Sequence, residues 1–144
     1  MSLRKLLANI RFPAKANQLK KVRDMLRDTF QREGCSRGAL ECNCLILAID
    51  EACNNIIEHA YGEKESGDII LDIALLDDEL IIRITDFAKP VDCRAIKSRA
   101  LDDIRPGGLG VYLMHKVMDE VHFLERPGGM GNVLEMKKKI KSDI

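Results

Sequence analysis

Residues 68–86 read DIILDIALLDDELIIRITD, and the period of that stretch decides the fold class. Ile69, Leu71, Ile73 and Leu75 alternate with other residues, Asp77-Asp78 interrupts the run, and Leu80, Ile82 and Ile84 resume the alternation up to Asp86. A period of two puts successive apolar side chains on one face of a pleated strand, so two such runs around an Asp pair predict a β-hairpin. Toward the N-terminus the period becomes helical. Leu45, Ile49, Ala52 and Ile56 form one stripe of a helix expected over 38–60, with Gly62 just past its end. Leu19, Val22, Leu26 and Phe30 predict an earlier amphipathic helix, running from Ala14 until Gly34 stops it, and residues 6–12 read as a short strand.

Toward the C-terminus, Lys89-Pro90 ends the second strand, and residues 91–106 are charged and weakly periodic, as expected of a mobile, lid-like loop carrying a short helix. After Gly107-Gly108-Leu109-Gly110, residues 111–120 look helical. Residues 121–124 and 133–140 look like strands joined by a Gly-rich turn at 128–131. The order is strand, two helices, hairpin, loop, helix, hairpin. It predicts an α+β fold: a two-layer α/β sandwich with helices on one face of a mostly antiparallel, mixed sheet. With no internal repeat, linker or low-complexity segment, residues 1–144 are expected to form a single domain.

The whole chain narrows the function classes. A chain of 144 residues buries roughly 70% of its unfolded surface and needs no staples. Its 23 Lys+Arg balance 23 Asp+Glu, so the overall field gives no reason to expect direct nucleic-acid or membrane partners. Five cysteines, an odd number with no CxxC pair, read as small hydrophobes in a reducing compartment. No apolar stretch approaches the ~20 residues of a membrane helix, and residues 1–12 lack the pattern of a secretory signal, so the expected location is cytoplasmic.

Four segments carry candidate chemistry. In Asp50-Glu51-Ala52-Cys53-Asn54-Asn55-Ile56-Ile57-Glu58-His59, helical spacing places Glu51, Asn55, Glu58 and His59 on one face as a polar stripe on an apolar helix. The Asn55 amide oxygen suits Mg²⁺, which takes hard oxygens and few protein ligands, and Glu51 one turn earlier suits a proton acceptor. A solvated helix face explains the same residues. Asp86, at a strand end before Phe87-Ala88-Lys89-Pro90, can accept a hydrogen bond from an exocyclic amine or simply cap a turn. Arg105-Pro106-Gly107-Gly108-Leu109-Gly110 opens a helix whose free N–H groups suit a phosphate, yet a plain Gly turn reads the same way. It is neither of the common glycine phosphate motifs, which argues against P-loop and Rossmann sites. Gly128-Gly129-Met130-Gly131-Asn132 is read most simply as a hairpin loop.

The order of these segments, rather than any one of them, resembles the gyrase, histidine-kinase and MutL ATPase superfamily with its Bergerat ATP-binding fold, over residues 40–140. Residues 50–62 look like its N box, 86–92 its adenine box, 107–110 its glycine box and 131–134 its closing strand motif. The resemblance implies ATP and Mg²⁺ as cofactors. It makes Glu51 the general base, Asn55 the metal ligand and Asp86 the acceptor for adenine. It places Ala88 and Asn132 beside the base, Gly108 and Gly110 at the phosphates, and His59 and Tyr61 near the nucleotide, while Arg105 would reach the terminal phosphate.

Within that superfamily the Glu-Ala-x-x-Asn-x-x-x-His pattern and small lid look most like anti-sigma factors with protein-serine kinase activity. Such a relative phosphorylates an antagonist (anti-anti-sigma) protein, binds a sigma factor and forms a homodimer. Three departures stand against this. Ala88 replaces a usual glycine, Val91 a phenylalanine and Asn132 a threonine, which leaves as an alternative a non-catalytic protein-interaction module with a degenerate nucleotide site.

Overall fold

The structure is a computed structural model that describes residues 4–34, 38–60, 67–88, 109–125 and 131–140. Strand β1 spans Arg4–Pro13, and a 3-10 turn at Ala16–Gln18 leads into helix α1, Leu19–Arg32. Helix α2 spans Ala39–Asn55 and ends in a π turn at Ile56–Ala60. Strands β2 (Asp68–Leu76) and β3 (Glu79–Asp86) follow, then helix α3 (Leu109–Val117) and strands β4 (Glu120–Glu125) and β5 (Asn132–Lys139). This order matches the expected succession. The expected loop and short helix over 91–106 fall outside the described residues, as does most of the Gly-rich turn.

The five strands order as β1-β2-β3-β5-β4, and every described ladder is antiparallel. The central hairpin forms as its alternation requires, with Asp77-Asp78 as its turn and Asp77 at φ 55. Asp is among the few side chains that tolerate this left-handed conformation. Two boundaries differ from expectation. The first helix begins at Leu19 rather than near Ala14, since residues 16–18 form the tighter 3-10 turn. The helix expected to reach residue 120 stops at Val117, because Glu120 already pairs with Lys137 across β4 and β5. Ladder hydrogen bonds there satisfy backbone groups that another helical turn would otherwise take.

Residues opposed across an antiparallel ladder share a face, so the register shows how the core is built. Phe12, Ile69, Asp86 and Asn132 stand in one row across the sheet, and Ile10, Leu71, Ile84, Leu134 and Phe123 in the next. Ile73, Ile82, Met136 and Val121 make the third. Against these rows pack Leu26 and Phe30 of α1, Leu45, Ile49, Ala52 and Cys53 of α2, and Met114 of α3. Each fully buried Leu, Ile, Phe or Met is worth about 1.5–3 kcal/mol, so this double layer dominates the stability. The opposite face mixes polar pairs with aliphatic side chains: Arg83 and Glu135 pair at 2.6 Å and Asn9 hydrogen-bonds Asp72, on the face that also carries Ile70, Ile81 and Val133. The helices therefore cover one face of the sheet, and α2 touches both α1 and α3.

Candidate functional site

Only Asp86 and Asn132 break the apolar character of the covered rows over β2, β3 and the facing half of β5. Asp86 is 3% exposed, at the end of β3, and a carboxylate buried that deeply needs hydrogen-bond donors. It has them. Its Oδ1 accepts the Ala88 N–H at 3.0 Å and the Asn132 Nδ2 amide at 2.9 Å, the second across the β3–β5 ladder. Two donors on one oxygen fix the carboxyl plane, and a carboxylate is the kind of acceptor that suits a ligand amine. Ala88 is itself 3% exposed, so the methyl at this expected glycine position is packed inside the protein. Gly131 holds φ 91 immediately before Asn132, a left-handed conformation that favours glycine and sets the entry of β5.

The second cluster lies on α2. Ala52 and Cys53 turn into the core, whereas Glu51 and Asn55 are half-buried one turn apart, separated by about 6 Å of helical rise. Burial raises the Glu51 carboxyl above the ordinary range, and the charges of Asp50 and then Glu58 push in the same direction. Asp50 is anchored from α1, where the Arg23 guanidinium pairs with it at 2.9 Å. Asn55 closes the α-helical part, and the hydrogen bonding then widens into the π turn. Single π turns inside helices recur at functional sites. The turn differs from the uninterrupted α-helix expected over 38–60, and the charge of Glu58, within it, still acts on Glu51. Asn54 finds a partner there, donating to Glu58 Oε1 at 3.4 Å.

Of the residues singled out by sequence, the structure joins Asp86, Ala88 and Asn132 by hydrogen bonds, and sets Glu51 and Asn55 on one helical ridge. Gly110 lies within α3, which is described from Leu109 onward, so the helix already includes two residues of the glycine motif expected to precede it. The backbone of His59 sits in the π turn. Tyr61, Val91, Arg105 and Gly108, together with the side chain of His59, lie outside the described residues.

Two arginines escaped the sequence reading. Besides Arg23, Arg11 of β1 pairs with Asp68 at 2.7 Å and lays its guanidinium over the Phe87 ring at 5.1 Å, bracing the residue next to Asp86. Both partners are distant along the chain, so no local pattern could signal them. At Cys53, burial and then the Asp50 charge push the thiol up to about 12 and suppress the reactive thiolate.

A helix bearing a Glu–Asn pair over a sheet that ends in a doubly held Asp, with a glycine-opened helix beside them, defines a class. The family of the histidine kinase-like ATPase domain matches residues 12–138, and the chain belongs to that family. Its similarities run further toward one group. Serine-protein kinase RsbW of Staphylococcus epidermidis is 32% identical over 139 residues, covering 90% of this chain and 86% of the relative. Serine-protein kinase RsbW of Staphylococcus aureus is 32% identical over 143 residues, covering 93% and 87%. Among solved structures, the histidine kinase domain from the Erythrobacter litoralis EL346 blue-light activated histidine kinase aligns with a TM-score of 0.51 at 18% identity. That alignment covers 69% of this chain and 45% of the other, and it supports the fold. Among the described residues no helix is long and apolar enough to cross a membrane.

Proposed function

We propose that this chain is an ATP-dependent protein-serine kinase of the anti-sigma-factor type, which phosphorylates an antagonist protein and binds a regulatory partner. The observation that carries the reading is the buried Asp86 carboxylate, oriented by Ala88 and Asn132 in a chain of this family. One fixed acceptor among apolar side chains suits a purine that offers an exocyclic amine, which is adenine. The serine-protein kinase names of the relatives support protein serine as the acceptor.

Each residue takes one task in the transfer. Asp86 accepts the adenine amine and sets the nucleotide's register. The backbone N–H groups at the start of α3, with Gly110 leaving room for close approach, face the phosphates. Asn55 offers its amide oxygen to Mg²⁺, and the hard-oxygen donors on this ridge suit that ion. The metal supplies charge neutralisation on the phosphates when bound. Glu51 takes the proton of the attacking serine hydroxyl as the oxygen–phosphorus bond forms and the bond to the ADP leaving oxygen breaks. Placing the base one helical turn from the metal ligand brings proton acceptor and phosphate together, and such positioning supplies much of the catalysis. The reading also carries a homodimer in the cytoplasm, with an antagonist protein and a sigma factor as partners.

The test is phosphate transfer from γ-labelled ATP to purified candidate antagonist proteins, with the product analysed for phosphoserine. Label on one serine with the wild type and none with Glu51→Gln is the expected result. Binding of ATP without transfer to any antagonist would make the chain an interaction module that has kept its nucleotide pocket.

A further inference from the structure

The helical layer exposes apolar side chains that the core does not use. Leu40 is 79% exposed, Leu47 43% and Tyr112 52%, the first two on α2 and the third on α3. On α2 the buried Cys42, Leu45, Ile46, Ile49 and Cys53 point to the sheet or to the neighbouring helices. Leu40 and Leu47 stand on the opposite side, seven residues apart and therefore nearly in line, and Glu51 follows four residues later on the same ridge. Single exposed leucines are ordinary, but this pair lines up with the proposed base.

We propose that the outward ridge of α2, from Leu40 through Leu47 to Glu51, is the docking surface for the protein whose serine is phosphorylated, a partner with an apolar centre and an acidic rim. The inference rests on the kinase reading above. Delivery of a serine hydroxyl to Glu51 requires hydrogen-bond reach, so the partner's own surface must lie over the ridge around that residue. A standard interface buries about 800 Å² per partner, a disc of about 16 Å radius. Centred on Glu51, the disc encloses Leu47 at roughly 6 Å of helical rise and ends near Leu40 at roughly 16 Å. Leu47 then falls in the desolvated middle, where apolar side chains carry most energy, and Leu40 at the margin.

The charge around the ridge fixes the partner's rim. The Arg23–Asp50 pair at 2.9 Å shows which side of α1 turns toward α2. Lys20 and Arg27 lie on that side, three residues before and four after Arg23, with Arg27 also 3.6 Å from Asp24. On α3, the Lys116 ammonium sits 5.5 Å from the centre of the Tyr112 ring. The Arg23–Asp50 and Arg27–Asp24 pairs neutralise themselves, which leaves Lys20 on α1 and Lys116 on α3 as the cations of the neighbouring helices that acidic side chains on the partner complement.

The test uses the full chain, with the antagonist protein labelled on serine in the assay above as its probe. Leu47→Glu should raise KM for that protein by about tenfold or more, with the ATP dissociation constant unchanged. Leu40→Glu should raise it by only about two- to threefold, and at 79% exposure this substitution leaves the fold alone. Lys20→Glu should slow association and weaken its dependence on salt. An unchanged KM in both leucine variants, with ATP still bound, would overturn the docking surface and leave the kinase standing. A fall in oligomer mass on Leu47→Glu, seen by sedimentation, would assign the ridge to a second copy of the chain and overturn the proposal equally. If wild type labels no protein serine, the kinase reading fails first and this inference falls with it.

Discussion

The two halves of the candidate site are built differently. On α2, Glu51 and Asn55 sit one turn apart on the same helix, half-buried, with their placement set by local periodicity. At the end of β3, Asp86 is sealed into the apolar layer and depends on Asn132, 46 residues further along the chain. The first half is a candidate ridge on an element whose stability comes from its other side. In the second, the candidate group is itself buried with the core. Substitutions on the ridge should therefore separate chemistry from folding, whereas substitutions at the strand ends should affect both.

The sharpest separation is expected at Glu51. Glu51→Gln should lower phosphoryl transfer by about 10²–10⁴ and leave both ATP affinity and thermal stability close to wild type. Retained transfer would remove Glu51 as the base and blur the division. At the other half, Asp86→Ala should weaken ATP binding by roughly 10–100-fold. It should also destabilise the fold by about 1–3 kcal/mol, because the buried donors of Ala88 and Asn132 lose their acceptor. Titration calorimetry and denaturant unfolding on one preparation read both effects, and loss of binding at unchanged stability would break the contrast.

Smaller effects sharpen it further. Asn132→Ala removes the amide that donates to Asp86, and should cost about tenfold in ATP affinity and about 1 kcal/mol in stability. Asn132→Thr should recover part of both, since a hydroxyl can also donate. The smallest effect concerns pH. Glu51 must be ionised to accept a proton, and burial, Asp50 and Glu58 all raise its pKa, so the acid limb of the transfer rate lies above the ordinary carboxylate range. Asp50→Asn removes one of the raising charges and should move that limb to lower pH by less than about one unit. An unchanged limb, or a shift to higher pH, would mean that the Asp50 charge does not raise Glu51.

How far the sequence alone reached follows the same division. The β2–β3 hairpin was legible because alternation and an Asp-Asp turn are local signals, and Asp86 was singled out at its end. The Glu51–Asn55 pair was legible for the same reason. What periodicity could not carry was pairing across the chain. Asn132 entered only through resemblance, and its bond to Asp86 exists because β5 lies beside β3 in the sheet. Arg23 on Asp50 and Arg11 over Phe87 are likewise contacts between elements distant along the chain. The π turn after Asn55 was invisible because its residues fit an α pattern equally well, and only the hydrogen bonding distinguishes them. The end of α3 was misread because Met118 to Glu120 continue a helical pattern, while pairing of β4 with β5 decides the matter. Ala88, which stands where the resemblance has a glycine, is buried with its N–H on Asp86.

The central claim is that α2 and the β3–β5 strand ends together form one Mg²⁺-dependent ATP site. Its most direct test is calorimetric titration of the purified chain with ATP, with and without Mg²⁺, repeated on Asn55→Ala. The account predicts saturable binding that requires Mg²⁺ in the wild type and is lost in the variant, with unfolding unchanged. Absence of binding at millimolar ATP, or equal binding by wild type and variant, would contradict it.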